Sequence, residues 1–183
     1  MRKLIQANSI LVSLNKPFFM KISRFVLTFG PDAQNRIQDA RSDQIDGALA
    51  LLESFYYAFN NRDQQVMKEI WLDVPFSQLN GPGGDMRRGA QDILAGYGRI
   101  FNSKARIWLK FTGIVCYAAD DLVVFTGTET GELSMDGETV AVKVSATTCF
   151  AYNEERAGWV QLHHHGSFDD PGLLLRYQEL IGK

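Results

Sequence analysis

The chain has 183 residues, 45% hydrophobic and 22% charged, with a formal net charge of −2. These values bound it to one ordinary globular domain with a core of useful size. Two cysteines, Cys116 and Cys149, stand far apart in alternating apolar segments, which speaks against a disulfide framework and for a reducing compartment, the cytoplasm. No apolar run approaches the roughly eighteen residues of a membrane span.

Charge divides the chain. Before Asp32 there are five basic residues (Arg2, Lys3, Lys16, Lys21 and Arg24) and no acid, whereas the remainder is acidic on balance. Residues 1–41 therefore read as a basic N-terminal arm, and residues 42–183 as the folded domain. The arm is acid-free at its start and contains serines, as organellar transit segments do, but Gln6, Asn8 and Asn15 interrupt any secretory apolar stretch. The other readings are a floppy or partner-binding arm, or a start at Met20. The acidic body and the sparse basic residues of the arm make nucleic acid a poor partner.

From residue 42 the apolar pattern is regular. "SDQIDGALALLESFYYAFNN" places Ile45, Ala48, Leu49, Leu52, Phe55, Tyr56 and Phe59 on one face of a helix that Ser42 or Asp43 would cap. Asp63 can cap a second, shorter helix through Val66, Met67, Ile70 and Trp71. The extended piece "VPFSQLN" runs into the turn "GPGGD", which lacks the spacing and the lysine of a phosphate-binding loop. A third helix carries Ile93, Leu94, Tyr97, Ile100 and Phe101 on one side.

The remainder is a meander. Four long alternating strands, "ARIWLKFTGIVCYA", "DLVVFTGTETGEL", "ETVAVKVSATTCFAY" and "GWVQLHHHGSF", are separated by the turns AADD, SMDG and NEERAG, and "PGLLLRYQELI" closes the chain as a short helix. Helices first and strands afterwards predict an α+β domain, with a curved antiparallel sheet wrapped around the N-terminal helices.

Taken together, the helical hairpin ending in "NNRD", the "RRGAQDI" helix, the four strands and the ending "GWVQLHHHGS" resemble the nuclear transport factor 2-like superfamily of cone-shaped domains. The likeness covers about residues 43–170. It is strongest to the SnoaL-like and calcium/calmodulin-dependent kinase association-domain branches, whose last strand carries W-x-x-x-H-x-H-x-S, here Trp159, His163, His165 and Ser167. That fold serves isomerases, cyclases, dehydratases, adaptors and oligomerisation modules, so it fixes no function. The resemblance puts Phe55, Asn80 and Thr148 where steroid isomerases of this fold hold their catalytic groups, which makes classical steroid isomerisation a poor fit. It also puts Gly127, Thr148 and Gly166 where the kinase association domains carry pocket arginines.

Strand alternation then sorts the three histidines. Val160, Leu162, His164 and Gly166 are expected to share the helix-facing side of the last strand, with Trp159, Gln161, His163, His165 and Ser167 on the outer side. Val123, Phe125 and Glu129 are expected to face inward from a neighbouring strand. The functional expectation is an acid/base pair, Glu129 and His164, in a largely apolar pocket walled by Phe55, Trp71, Asn80, Tyr97 and Thr148. Burial moves a carboxyl toward neutrality and imidazole titrates nearby, which suits cofactor-independent isomerisation, cyclisation or dehydration of a small apolar or weakly polar ligand. The competing reading is a non-catalytic oligomerisation or adaptor domain, with Glu129 at the exposed sheet end. On the outer side, His163, His165 and Cys149 are weak metal candidates that lack a fourth ligand. Trp159, Trp108 and Val115 or Cys116 on that side point to a homodimer through the outer sheet face.

Overall fold

The computed structural model describes residues 20–182. Four α-helices, α1 (Ile45–Asn61), α2 (Gln64–Ile70), α3 (Ala90–Asn102) and α4 (Pro171–Ile181), accompany one seven-stranded sheet among these residues. The strands are β1 (Lys21–Arg24), β2 (Gln78–Asn80), β3 (Met86–Arg88), β4 (Arg106–Ala119), β5 (Leu122–Met135), β6 (Glu138–Asn153) and β7 (Gly158–Phe168). They are ordered β1-β4-β5-β6-β7-β2-β3. The meander β4 to β7 is antiparallel throughout, as its alternation and turn chemistry require, and β2 adds to β7 in parallel. The α+β class is the one expected.

The helices form where the periodicity places them, with one change of cap. Asp63 accepts hydrogen bonds from the backbone N–H groups of Gln65 and Val66 and starts α2. Gln44, not Ser42 or Asp43, stands at the N-cap of α1. The Ser42 carbonyl instead receives the indole N–H of Trp159 at 2.9 Å, so this segment serves tertiary packing. The far end of α1 turns on Arg62, whose φ of 56° is left-handed. Its guanidinium donates to the carbonyls of Phe101, Ser103 and Ala105, tying the end of α1 to the end of α3.

The boundary expected at residue 41 falls inside the packed body. Residues 21–24 form β1 against the edge of β4, Phe29 bridges to Phe111, and Arg36 binds Glu53 of α1. An exposed edge strand gains from being paired, which is the physical reason for recruiting the arm. Of the arm behind the targeting and partner-binding readings, residues 1–19 lie outside the described residues.

Two bulges set the strand faces: the one in β4 decides between Val115 and Cys116, and the one in β7 overturns the expected face. In β4 the pairing steps from Thr112 opposite Thr128 to Val115 opposite Thr126, with Gly113 at φ 67°. That irregularity leaves Cys116 buried inside, opposite Phe125, and Val115 outside. In β7 the pairing steps from His163 opposite Cys149 to Gln161 opposite Phe150, skipping Leu162. The side-chain period resets at the bulge, so Gln161 and Trp159 join His164 on the inner face. Trp159 is thus no outer-face residue: it is 4% exposed, stacks edge-on to Tyr152 and packs at the start of α1.

Candidate functional site

The inner face of β5 carries Phe125, Gly127, Glu129, Gly131 and Leu133 in alternation. Glu129 sits between two glycines, and neither gap has room for more. A Cβ at Gly127 would lie 2.7 Å from the Phe111 ring, and one at Gly131 would lie 1.9 Å from the Trp108 carbonyl oxygen. The close approach of β4 that these glycines permit brings Phe111 opposite Glu129, and Tyr56 of α1 stacks on Phe111 at 5.3 Å.

Glu129 is only 2% exposed. Its Oε1 accepts a 2.7 Å hydrogen bond from the Tyr56 hydroxyl. His164 Nε2 stands 3.7 Å from the same oxygen, too far for a hydrogen bond. Burial raises the Glu129 carboxyl to about 7, opposed by the Tyr56 hydrogen bond. Burial, with His163 and His165 close by, lowers His164 to about 3. Both shifts disfavour charge, so between about pH 3 and pH 7 the pair is a protonated carboxyl beside a neutral imidazole and not an ion pair. His164 is held between Thr148 of β6 and Leu79 of β2, with Phe55 stacked on its ring at 5.3 Å.

Glu129 and His164 both line a cavity of about 520 Å³, of a size that suits small-molecule sites. Phe55, Phe59, Leu79, Ile107, Leu109 and Val142 make its apolar walls. Tyr97 also lines it, and burial near Glu129 raises that phenol well above its ordinary value. The Tyr97 hydroxyl makes no hydrogen bond to any of the described residues. At the rim stand Asp85, Arg87, Arg99, Ser103 and Tyr177.

Of the five expected wall residues, the structure brings Phe55 and Tyr97 to the cavity and leaves three outside its lining. Asn80 alternates away from it on β2, so Leu79 takes the inward position, and the Asn80 side chain accepts a hydrogen bond from Gln78. Trp71 is buried behind Tyr97, at 6.5 Å between ring centres. Thr148 is buried in β6 and donates its hydroxyl to the His163 carbonyl. Across the sheet, His163 and His165 are partners in an edge-on contact at 6.4 Å, and Cys149 pairs with His163. No group of three or more His, Cys, Asp or Glu side chains among the described residues is placed to hold a metal ion.

Sequence reasoning missed Tyr56 and the rim. Tyr56 belongs to the apolar face read for α1, but nothing local distinguishes a hydroxyl that meets a carboxylate 73 positions away from one that meets solvent. Arg87, Arg99 and Tyr177 come from three different elements, and only the closed fold brings them together.

A family profile described as a SnoaL-like domain matches residues 48–171. Among solved structures, a provisionally assigned dehydratase of the nuclear transport factor 2-like family from Streptomyces avermitilis aligns with a TM-score of 0.60 at 22% identity, over 67% of this chain and 94% of that one. A provisionally assigned calcium/calmodulin-dependent protein kinase type II association domain from Thiobacillus denitrificans gives 0.52 at 23% identity, over 65% and 92%. A nuclear transport factor 2-like superfamily protein from Salmonella enterica serovar Typhimurium gives 0.56 at 19% identity, over 69% and 94%. At these identities the likeness is one of fold. No match is found among the curated proteins.

Proposed function

The chain belongs to the SnoaL-like family of the nuclear transport factor 2-like superfamily, and from that premise we propose that its cavity binds a small, largely apolar molecule and moves a proton on it without a cofactor. The observation that carries this reading is Glu129: a carboxyl buried against apolar walls, held at one oxygen by Tyr56 and raised to about 7, at the floor of a cavity large enough for a ligand. A carboxyl poised near neutrality takes and returns protons with little penalty in either direction.

The chemistry follows from the positions. The Glu129 carboxylate removes a proton from a carbon next to a carbonyl, and the electron pair passes to the carbonyl oxygen. The unpartnered Tyr97 hydroxyl is the donor available to that developing oxyanion. Protonated Glu129 then returns the proton to another carbon, giving isomerisation, or to a β-hydroxyl that leaves as water, giving dehydration. Tyr56 is a positioning residue, since it reaches Glu129 without lining the cavity. Neutral His164 offers a second polar contact at the floor.

The test is exchange of deuterium from D2O into a panel of apolar ketones and β-hydroxy ketones. The wild-type protein is expected to catalyse exchange or water loss on a subset. Glu129→Gln is expected to abolish it, and Tyr97→Phe to lower the rate by about 10²-fold. Exchange at the buffer rate across the panel, or full activity in Glu129→Gln, would refute the proton-transfer reading. The alternative role, a non-catalytic assembly domain, leaves the buried carboxyl and the cavity without a use.

A further inference from the structure

Four charged side chains line the cavity: Asp85, Arg87, Arg99 and Glu129. Three are already engaged. Glu129 is at the floor with Tyr56. Arg87 binds Asp85 at 3.0 Å and Asp92 at 3.2 Å, and lies so close over Gly96 of α3 that a Cβ there would stand 2.5 Å from its Nε. Asp85 at the rim and Asp92 in the first turn of α3 are thus both turned onto one guanidinium that α3 holds in place. Arg99, just short of one turn further along α3, is exposed and has no ion pair or hydrogen bond with any of the described residues.

From this arrangement we infer that the ligand of the cavity is an apolar molecule bearing a carboxylate at its outer end, and that Arg99 receives that carboxylate at the rim. The inference rests on the cavity reading above and names its substrate class. The walls demand a hydrocarbon body. The floor disfavours a second anion: burial already pushes Glu129 toward its neutral form, and a ligand carboxylate beside ionised Glu129 would be repelled as well as desolvated. Only the rim tolerates a negative group, and its uncommitted charged group is a guanidinium, whose planar fork matches a carboxylate in two parallel hydrogen bonds. A carboxylate held there also orients the molecule, leaving its other end to Glu129 and Tyr97. Arg99 lies in the last turn of α3 as well, where a cation suits the helix dipole, so the test must read ligand chemistry and not stability.

Calorimetric titration with octanoate and with octanol, at low ionic strength, separates the possibilities in wild type, Arg99→Gln and Lys104→Gln. Lys104 is an exposed neighbour outside the cavity lining and controls for net charge. Arg99→Gln is expected to weaken octanoate about tenfold and leave octanol unchanged, while Lys104→Gln changes neither by more than about twofold. Unchanged octanoate affinity in Arg99→Gln, or equal losses for both probes, overturns the assignment of the carboxylate to Arg99 and leaves the cavity reading standing. Failure of both probes to bind wild type overturns the cavity reading and this inference with it.

Discussion

Glu129 matters because two opposing influences act on one carboxyl. Burial favours the proton, and Tyr56 favours the charge, with burial the larger. A carboxyl whose folded value lies above its unfolded one makes the native state bind more protons, so its contribution to stability is complete below about 4.5 and is lost as pH rises to about 7. His164 acts in the opposite sense: its lowered value makes the unfolded state the better proton acceptor between about 3 and 6.5, so stability gained there as pH rises partly masks the loss. Comparison with Glu129→Gln separates them. In urea titrations, wild type is expected to lose up to about 3 kcal/mol relative to Glu129→Gln between pH 4.5 and pH 7. A stability difference independent of pH would mean that Glu129 ionises as a solvated carboxyl does. At this scale the sequence was half legible. Inward alternation on β5 and β7 points to Glu129 and His164, because both lie on the regular parts of their strands. Tyr56 was hidden, since a helix face read as apolar does not say which hydroxyl meets a distant strand.

The elements follow from local chemistry wherever the pattern is long. The four strands of the meander and the final helix are found within two residues of their expected ends, since alternation and turn residues agree there. The short β1 and β3 exist through partners: three or four residues have too little pattern to announce a strand, and each is fixed by the neighbour it pairs with, whereas β2 is the end of the piece read as extended. The bulges in β4 and β7 were equally silent, because one extra residue in a strand leaves its composition unchanged while reversing every side chain beyond it. The glycines of β5 belong to this scale. Gly131→Ala introduces a Cβ into the Trp108 carbonyl, so β4 and β5 must separate beside Glu129. The expected cost is about 2 to 3 kcal/mol of unfolding free energy with a lower proton-exchange rate, whereas alanine at Gly84, which has open space around it, costs under about 1.5 kcal/mol from its positive φ alone. Equal destabilisation at both positions would show that backbone conformation, not the approach of β4, dictates Gly131.

On the scale of the whole molecule, the helices cover one face of the sheet and leave the other. Val115, Tyr117, Val124, Thr126, Thr147, Cys149 and Ala151 form an uncharged, half-buried outer surface, with His163 beside it. We propose that a second copy of the chain covers this surface, as composition on both sheet faces led us to expect, although Trp159 and Cys116 now lie on the inner side. Thr147 stands at its centre, opposite both Thr126 and His165. Sedimentation is expected to give a dimer for wild type and a monomer with unchanged secondary structure for Thr147→Arg, and a wild-type monomer at micromolar concentration would refute this arrangement. No helix among the described residues is long and apolar enough to cross a membrane.

All of these scales converge on the ionisation of one side chain. The most direct measurement is a pH titration of the glutamate side-chain carboxyl resonances in protein labelled with 13C, using Glu129→Gln to assign the Glu129 signal. One carboxyl is expected to titrate with a midpoint near pH 7, absent from the variant and moved higher still in Tyr56→Phe. A Glu129 midpoint near 4.5 would contradict this, because a carboxyl fully ionised at neutral pH is not poised to return a proton in this cavity.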